Sequence, residues 1–212
     1  MENFLNTKFS LNDSQQTALK AHFEIFMQWK DVHNLTAVHR PEDIYLYHYM
    51  DCLLGLQTLF GDLTLNPSSA TGEGLEDFAI YDLGSGAGFP GLVAAAIWPD
   101  QDIVLVESSS KKCAFLKLAA SKMKLNRVKV LNQRVESLIN IPYAITRATF
   151  SKGTWDLIKK AMAPDGRAAF WLSEQESVER EGWVLERQHY YELEPGHKRQ
   201  VAVFHVEPKT RK

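Results

Sequence analysis

A chain of 212 residues, 45% hydrophobic and 24% charged, is sized for one moderate domain with room for a small appendage. Its formal net charge of −2 neither demands nor forbids a nucleic-acid partner. No run approaches the ~18 apolar residues that span a bilayer, Met1–Ser10 has no basic-then-apolar leader, and Cys52 and Cys113 are too few for a disulfide framework, so a cytoplasmic protein with no membrane role is expected.

The first predicted elements are helices. Leu19, Phe23, Phe26 and Trp29 recur at the spacing of one apolar helix face. A second helix is predicted from Pro41, a favoured first helical position, with Glu42 and Asp43 suiting the positive helix start; it carries Ile44, Tyr47, His48, Asp51 and Leu54. Residues 66–76, NPSSATGEGLE, read as a linker. Three parts are therefore expected: a helical extension over 1–65, the linker, and a larger domain over 77–212.

In that larger domain strands and helices alternate. Strands are predicted at Phe78–Asp82, Ile103–Glu107, Val128–Leu131, Tyr143–Ala148 and Gly166–Leu172, with helices at Pro90–Trp98, Ser110–Met123 and Gly153–Ala163. Trp183–Leu193 and Gln200–Val206 flank Glu194–Lys198 as a closing hairpin. The alternation predicts an α/β fold with a mostly parallel seven-stranded sheet covered by helices on both faces. Such sheets bind ligands beyond the carboxyl ends of their strands.

Charge is distributed unevenly. Residues 63–110 contain seven acids and no Lys or Arg, whereas residues 111–134 contain eight bases, among them Lys111, Lys112 and Arg134, and no acid. A local field of that sign attracts polyanions; a solvated helix face is the plainer alternative.

The central motif joins the first strand of the larger domain to its first helix: Asp82-Leu83-Gly84-Ser85-Gly86-Ala87-Gly88-Phe89-Pro90-Gly91. Glycines there permit positive φ and close backbone approach to a ligand, and a helix start offers free N–H groups. Glu107, at the end of the next strand, can accept hydrogen bonds from two ribose hydroxyls. Gly86-x-Gly88-x-x-Gly91 formally fits a dinucleotide turn. The acid Asp82 two residues before Gly84, followed by alternating glycines, favours instead the acid-x-G-x-G-x-G pattern of a site for S-adenosylmethionine, whose sulfonium and amine are cationic.

Asp82–Gly91, and above all Phe89-Pro90-Gly91, resembles the bacterial 16S ribosomal RNA guanine-N7 methyltransferase family, also called glucose-inhibited division protein B. Further matching segments are Trp29 with Asn34-Leu35-Thr36-Ala37, His48 with Asp51, Glu107-Ser108 before Lys111-Lys112 and Phe115-Leu116, Arg134-Val135-Glu136, and Thr146-Arg147-Ala148. They run in order from about residue 25 to 150. The resemblance implies a Rossmann-like class I methyltransferase with S-adenosylmethionine as cofactor. The expected cofactor site is Asp82, Gly84, Gly86, Gly88, Phe89, Glu107, Val135, Glu136 and Arg147. Asn34, Thr36, His48, Asp51, Lys111 and Lys112 are expected on the side of ribosomal RNA or the small ribosomal subunit. Departures from the family are Cys52 in place of a usual Ser, a short span from Glu136 to Arg147, and Ser173-Glu174 where a Lys-Gly is usual.

Guanine N7 offers a lone pair and no proton, so positioning suffices and no catalytic base or metal is expected. In keeping with this, the sequence lacks the N/D-P-P-Y/F motif of amino-group methyltransferases, a Pro-Cys nucleophile and any Cys/His zinc spacing. Methylation of a small molecule or protein, a non-catalytic nucleic-acid-binding module and, remotely, a dehydrogenase stay open at this point.

Overall fold

The computed structural model describes residues 9–60, 78–147 and 152–207. The linker expected at 66–76 and the match at Ala148 lie outside the described residues.

Helix α1 spans Asp13–Trp29. Asn12 caps it: its side chain accepts the Gln15 N–H at 3.0 Å, and the Gln15 side chain accepts the Asn12 N–H at 2.9 Å. The buried face is Ala18, Leu19, His22, Ile25 and Phe26. Phe23 and Trp29, expected on that face, are only partly buried against the core. The stripe is rotated because a histidine, which an apolar count ignores, occupies its centre.

The second predicted helix is not uniform. It comprises α2 (Pro41–Ile44), a π-helical turn (Tyr45–Met50) and α3 (Asp51–Phe60). The wider turn shifts the helix face by about one residue, burying Tyr49 and Met50 together with Asp51.

The sheet contains β1 (Ile80–Leu83), β2 (Ile103–Glu107), β3 (Val128–Asn132), β4 (Ile141–Thr146), β5 (Met162–Ser173), β6 (Trp183–Glu194) and β7 (His197–Val206). Between them run α4 (Gly91–Ile97), α5 (Ser110–Lys122) and α6 (Lys152–Ala161). The spatial order is β3-β2-β1-β4-β5-β7-β6; β1 to β5 pair in parallel, and β7 is antiparallel to both β5 and β6. This is the seven-stranded, mostly parallel fold expected. The predicted closing hairpin is tighter than its sequence suggested, because β6 and β7 run to Glu194 and His197 and leave only Pro195-Gly196 between them.

Period-two alternation puts core on both faces. Ile103 and Leu105 face one cluster with Phe26, Leu53, Leu92 and Phe115, so the extension, α4 and α5 share one core. Val104 and Val106 face the other, with Trp155, Phe170, Trp183 and Phe204.

Candidate functional site

Strand order reverses at β1, whose neighbours β2 and β4 lead away in opposite directions. Sheets of this kind bind ligands beyond the carboxyl ends of the strands at such a point. The loop after β1 carries Gly84, Gly86 and Gly88 at φ of 76°, 55° and 91°. A Cβ on Gly86 would meet nothing nearer than the Gly84 carbonyl at 3.8 Å. The space above Gly86 is therefore open, and a side chain would enter it. Gly88 and Gly91 serve packing: a Cβ would strike Leu92 at the first, and Asp82 and Leu105 at the second.

Glu107 closes the β2 side. Its Oε2 accepts the Gly86 N–H at 3.1 Å and its Oε1 the Ser109 N–H at 2.8 Å. The carboxylate thus ties the glycine loop to the start of α5. At the end of β3, Asn132 donates to the Glu107 carbonyl at 3.1 Å, and beyond it Val135 and Glu136 form a short 3-10 turn in which Val135 is half-buried and Glu136 exposed.

Asp82 lies beneath the loop, fully buried. Its Oδ2 accepts the Gly91 N–H at 3.1 Å, and its Oδ1 has no hydrogen-bond partner. Burial pushes its pKa up to about 7. Open space over Gly86, a carboxylate at the β2 terminus and an unsatisfied buried carboxyl oxygen fit a ligand with ribose hydroxyls and a positive charge. Asp82 can act on such a ligand only indirectly, through its hold on α4 and, once ionised, through its charge, because no part of it reaches the surface.

The opposite wall is built from the π-helical turn and the end of β4. The Arg147 guanidinium donates from Nη1 to the Tyr47 carbonyl at 2.8 Å and to Asp51 Oδ2 at 3.0 Å, and from Nη2 to His48 Nδ1 at 2.9 Å. It lies 5.4 Å from the Phe89 ring centroid, and His48 stacks on Phe89 at 4.9 Å. Arg147 Nε is buried without a partner. Since His48 Nδ1 accepts, its proton sits on Nε2 and is donated to Thr36 Oγ1 at 2.8 Å. Burial, then the neighbouring Arg147 charge, lowers the His48 pKa to about 3, so the ring is neutral.

Asp51 was expected to touch substrate, but its side chain is 1% exposed. Both oxygens are occupied: Oδ2 by Arg147, and Oδ1 by the Tyr191 hydroxyl at 2.7 Å and Arg199 Nε at 3.3 Å. Its carbonyl accepts the Trp171 indole N–H at 3.2 Å. Asp51 is therefore a tether between α3 and strands β4 to β7. Asn34 is exposed at φ 48°, in the left-handed conformation that turns the chain after α1, apart from the Thr36–His48 pair.

Lys111 is exposed and Lys112 half-buried in the first turn of α5. Cations oppose the helix dipole there, which argues against a purely structural choice. Lys117, Lys122, Lys124, Lys129 and Arg134 are also exposed, whereas Arg127 pairs with Asp102 at 2.8 Å. Sequence reasoning missed His22, Tyr191 and Arg199. His22 announced itself only as a polar residue within an apolar stripe, and the other two lie 140 or more positions from Asp51.

The family profile described as GidB, rRNA small subunit methyltransferase G, matches residues 15–179. The chain is 33% identical to Ribosomal RNA small subunit methyltransferase G of Mycoplasma mycoides subsp. mycoides SC over 136 residues, covering 64% of this chain and 89% of that one. Against the protein of the same name from Methylibium petroleiphilum it is 30% identical over 204 residues, covering 95% and 81%. Among solved structures, the precorrin-6y C5,15-methyltransferase of Geobacter metallireducens GS-15 superposes with a TM-score of 0.50 at 11% identity over 73% of this chain and 86% of that one. A mutant of MtNAS superposes at 0.59 and 11% identity over 96% and 78%. These two likenesses concern the fold alone.

Proposed function

Because this chain belongs to the rRNA small subunit methyltransferase G family, we propose that it transfers a methyl group from S-adenosylmethionine to N7 of a guanine in 16S ribosomal RNA. The observation that carries the donor half is Glu107 holding the Gly86 N–H beneath an open loop face. When bound, S-adenosylmethionine supplies a methyl group activated by a positive sulfonium. Gly84 and Gly86 would admit it closely, Glu107 would accept from its ribose, Val135 and Glu136 would border its base, and Asp82 would hold the start of α4 beneath the loop and supply negative charge only above about pH 7. Gly88, Phe89 and Arg147 would shape the site from behind.

The extension would form the acceptor side, with Thr36 and His48 as its wall, Asn34 at its rim and Asp51 acting through Arg147. His48 is poorly suited to be a base, because Arg147 occupies its only lone pair. That agrees with an acceptor that has no proton to lose. Substitution therefore rests on orientation rather than on acid–base chemistry. Lys111, Lys112 and the other exposed bases of 111–134 would hold RNA phosphates. A base must leave its stack to enter such a site unless it is already unpaired, so folded RNA or a ribosomal particle suits it better than a short duplex. A cytoplasmic setting fits that substrate, and no helix among the described residues is long and apolar enough to cross a membrane.

Labelled methyl donor, the purified protein and small-subunit RNA or particles test the whole reading. Nucleoside analysis should release labelled 7-methylguanosine. Label on a ribose, an exocyclic amine or a pyrimidine would overturn the acceptor, and no transfer to any RNA would overturn the function.

A further inference from the structure

We infer that His22, on the helical extension, is a positioning residue for the donor site: it fixes the Ala87–Gly88 peptide of the glycine loop through an imidazole that Tyr49 holds in place from its other nitrogen. The inference rests on the donor site proposed above and extends it to a helix that the glycine motif gives no reason to include.

His22 is fully buried on α1. Its Nε2 lies 3.0 Å from the Ala87 carbonyl and its Nδ1 2.9 Å from the Tyr49 hydroxyl. A carbonyl can only accept, so Nε2 carries the proton and donates it. Nδ1 is then an acceptor, and the Tyr49 hydroxyl must donate to it. The two partners together permit one neutral tautomer. The rings of Phe89, Tyr49, Phe26 and Phe115 surround the imidazole at 5.1, 5.6, 6.1 and 6.3 Å. A polar ring in such surroundings is tolerated because both of its nitrogens are satisfied. Packing alone would be served as well by an apolar side chain.

The location gives the bond its consequence. Ala87 sits between Gly86 and Gly88, both at positive φ, in a stretch with little intrinsic stiffness. The Ala87–Gly88 peptide is held at both ends: its carbonyl by His22, and its N–H by the Ser85 carbonyl at 2.7 Å. The preceding Ser85–Gly86 peptide is held by Glu107 through the Gly86 N–H. Glu107 thus sets the loop from β2 and His22 sets it from α1, 65 positions away. A loop ordered before the ligand arrives binds it more tightly than one that must be ordered on binding.

The test uses the full chain, S-adenosylhomocysteine as calorimetric probe, and thermal unfolding as the control for folding. His22→Phe keeps a ring of similar size and removes both hydrogen bonds. It should raise the Kd for S-adenosylhomocysteine roughly tenfold, the equivalent of about one hydrogen bond. Turnover at saturating donor and the KM for RNA should change much less, which a general loss of structure would not produce. His22→Gln, which keeps a donor and an acceptor, should recover most of the affinity. Tyr49→Phe, which removes the support at Nδ1 and leaves the bond to Ala87 in place, should fall between. A His22→Phe protein that melts earlier but binds the probe as tightly as wild type overturns the inference and leaves His22 a packing residue. If His22→Phe does not fold, His22→Leu is read in its place, and an unchanged Kd there overturns the inference. A wild-type protein that does not bind the probe overturns the donor site and the inference together.

Discussion

The seam between the helical extension and the ends of β4 to β7 is made of directional contacts. Asp51, Arg147, Arg199, Tyr191, His48 and Thr36 meet there in one connected set of hydrogen bonds. The other face of the sheet is closed by rings. Trp155 stacks on Phe170 at 3.7 Å, and Trp183 and Phe204 pack against both edge to face. Each region buries a helix on the same sheet, by different physics. Ring packing tolerates small shifts and fixes no proton. A hydrogen-bonded seam fixes orientation and tautomer and loses much when one member is removed. The proposed chemistry needs orientation above all, and it sits on the seam.

Asp51→Ala should break that contrast most visibly. It leaves Arg147 and Arg199 facing each other, 15% and 20% exposed, without their shared carboxylate. Removing one partner of such a buried cluster costs about 3–5 kcal/mol, and turnover should fall with it. Urea unfolding and methyl-transfer assays measure the two effects. Phe170→Ala should also cost about 3–5 kcal/mol by opening a cavity in the aromatic cluster. Yet Kd for the donor, measured on the folded fraction, should stay at its wild-type value. If Phe170→Ala weakens donor binding as much as a seam variant does, the division of labour between the faces is wrong.

Glu107→Ala sharpens the comparison within the site. Losing one or two charge-assisted hydrogen bonds, each worth ~1.5–3 kcal/mol, should weaken donor affinity without a matching loss of stability. Unchanged calorimetric affinity would remove Glu107 from the donor site.

The smallest effect is a slope with pH. Burial lowers the pKa of His22 to about 4 and, with Arg147, that of His48 to about 3, so between pH 5 and 6 the unfolded chain binds two protons that the folded chain does not. Asp82, raised to about 7, does the reverse and holds one proton only when folded. The net is one proton more in the unfolded state. From these three groups, stability should therefore rise by about 1.4 kcal/mol per pH unit in that window. Asp82→Asn removes the opposing proton and should roughly double the slope. Urea unfolding at pH 5 and pH 6 for both proteins checks the sign, and an unaltered slope would mean that Asp82 is ionised in the fold.

Most of the fold was legible because it rests on periodicities that tertiary contacts do not change. The apolar run of β2, the strand–loop–helix at Asp82–Gly91 and the acid ending β2 mark the donor side in the sequence itself. The resemblance to the methyltransferase family rests on those same local segments. The termini of β4 and β5 were read less well, since a strand's limits depend on its neighbours: β4 starts at Ile141 because Met162 of β5 lies opposite. The π-helical turn was invisible, because residues 45–50 carry no local signal for it, and the partners of Tyr49 and Asp51 lie far away in the sequence.

What the sequence by itself determined is the order of elements, the glycine loop and the carboxylate at the end of β2, all set by contacts within a few residues or one strand spacing. Only the tertiary structure decided that Asp51 is a buried tether, that Arg147 turns toward the π-helical turn, and that His22 reaches Ala87. Those bonds join groups 65 to 148 positions apart. Local spacing carries no information about such a pairing; burial forces it, because a polar group that leaves water must find its partner wherever the fold brings one.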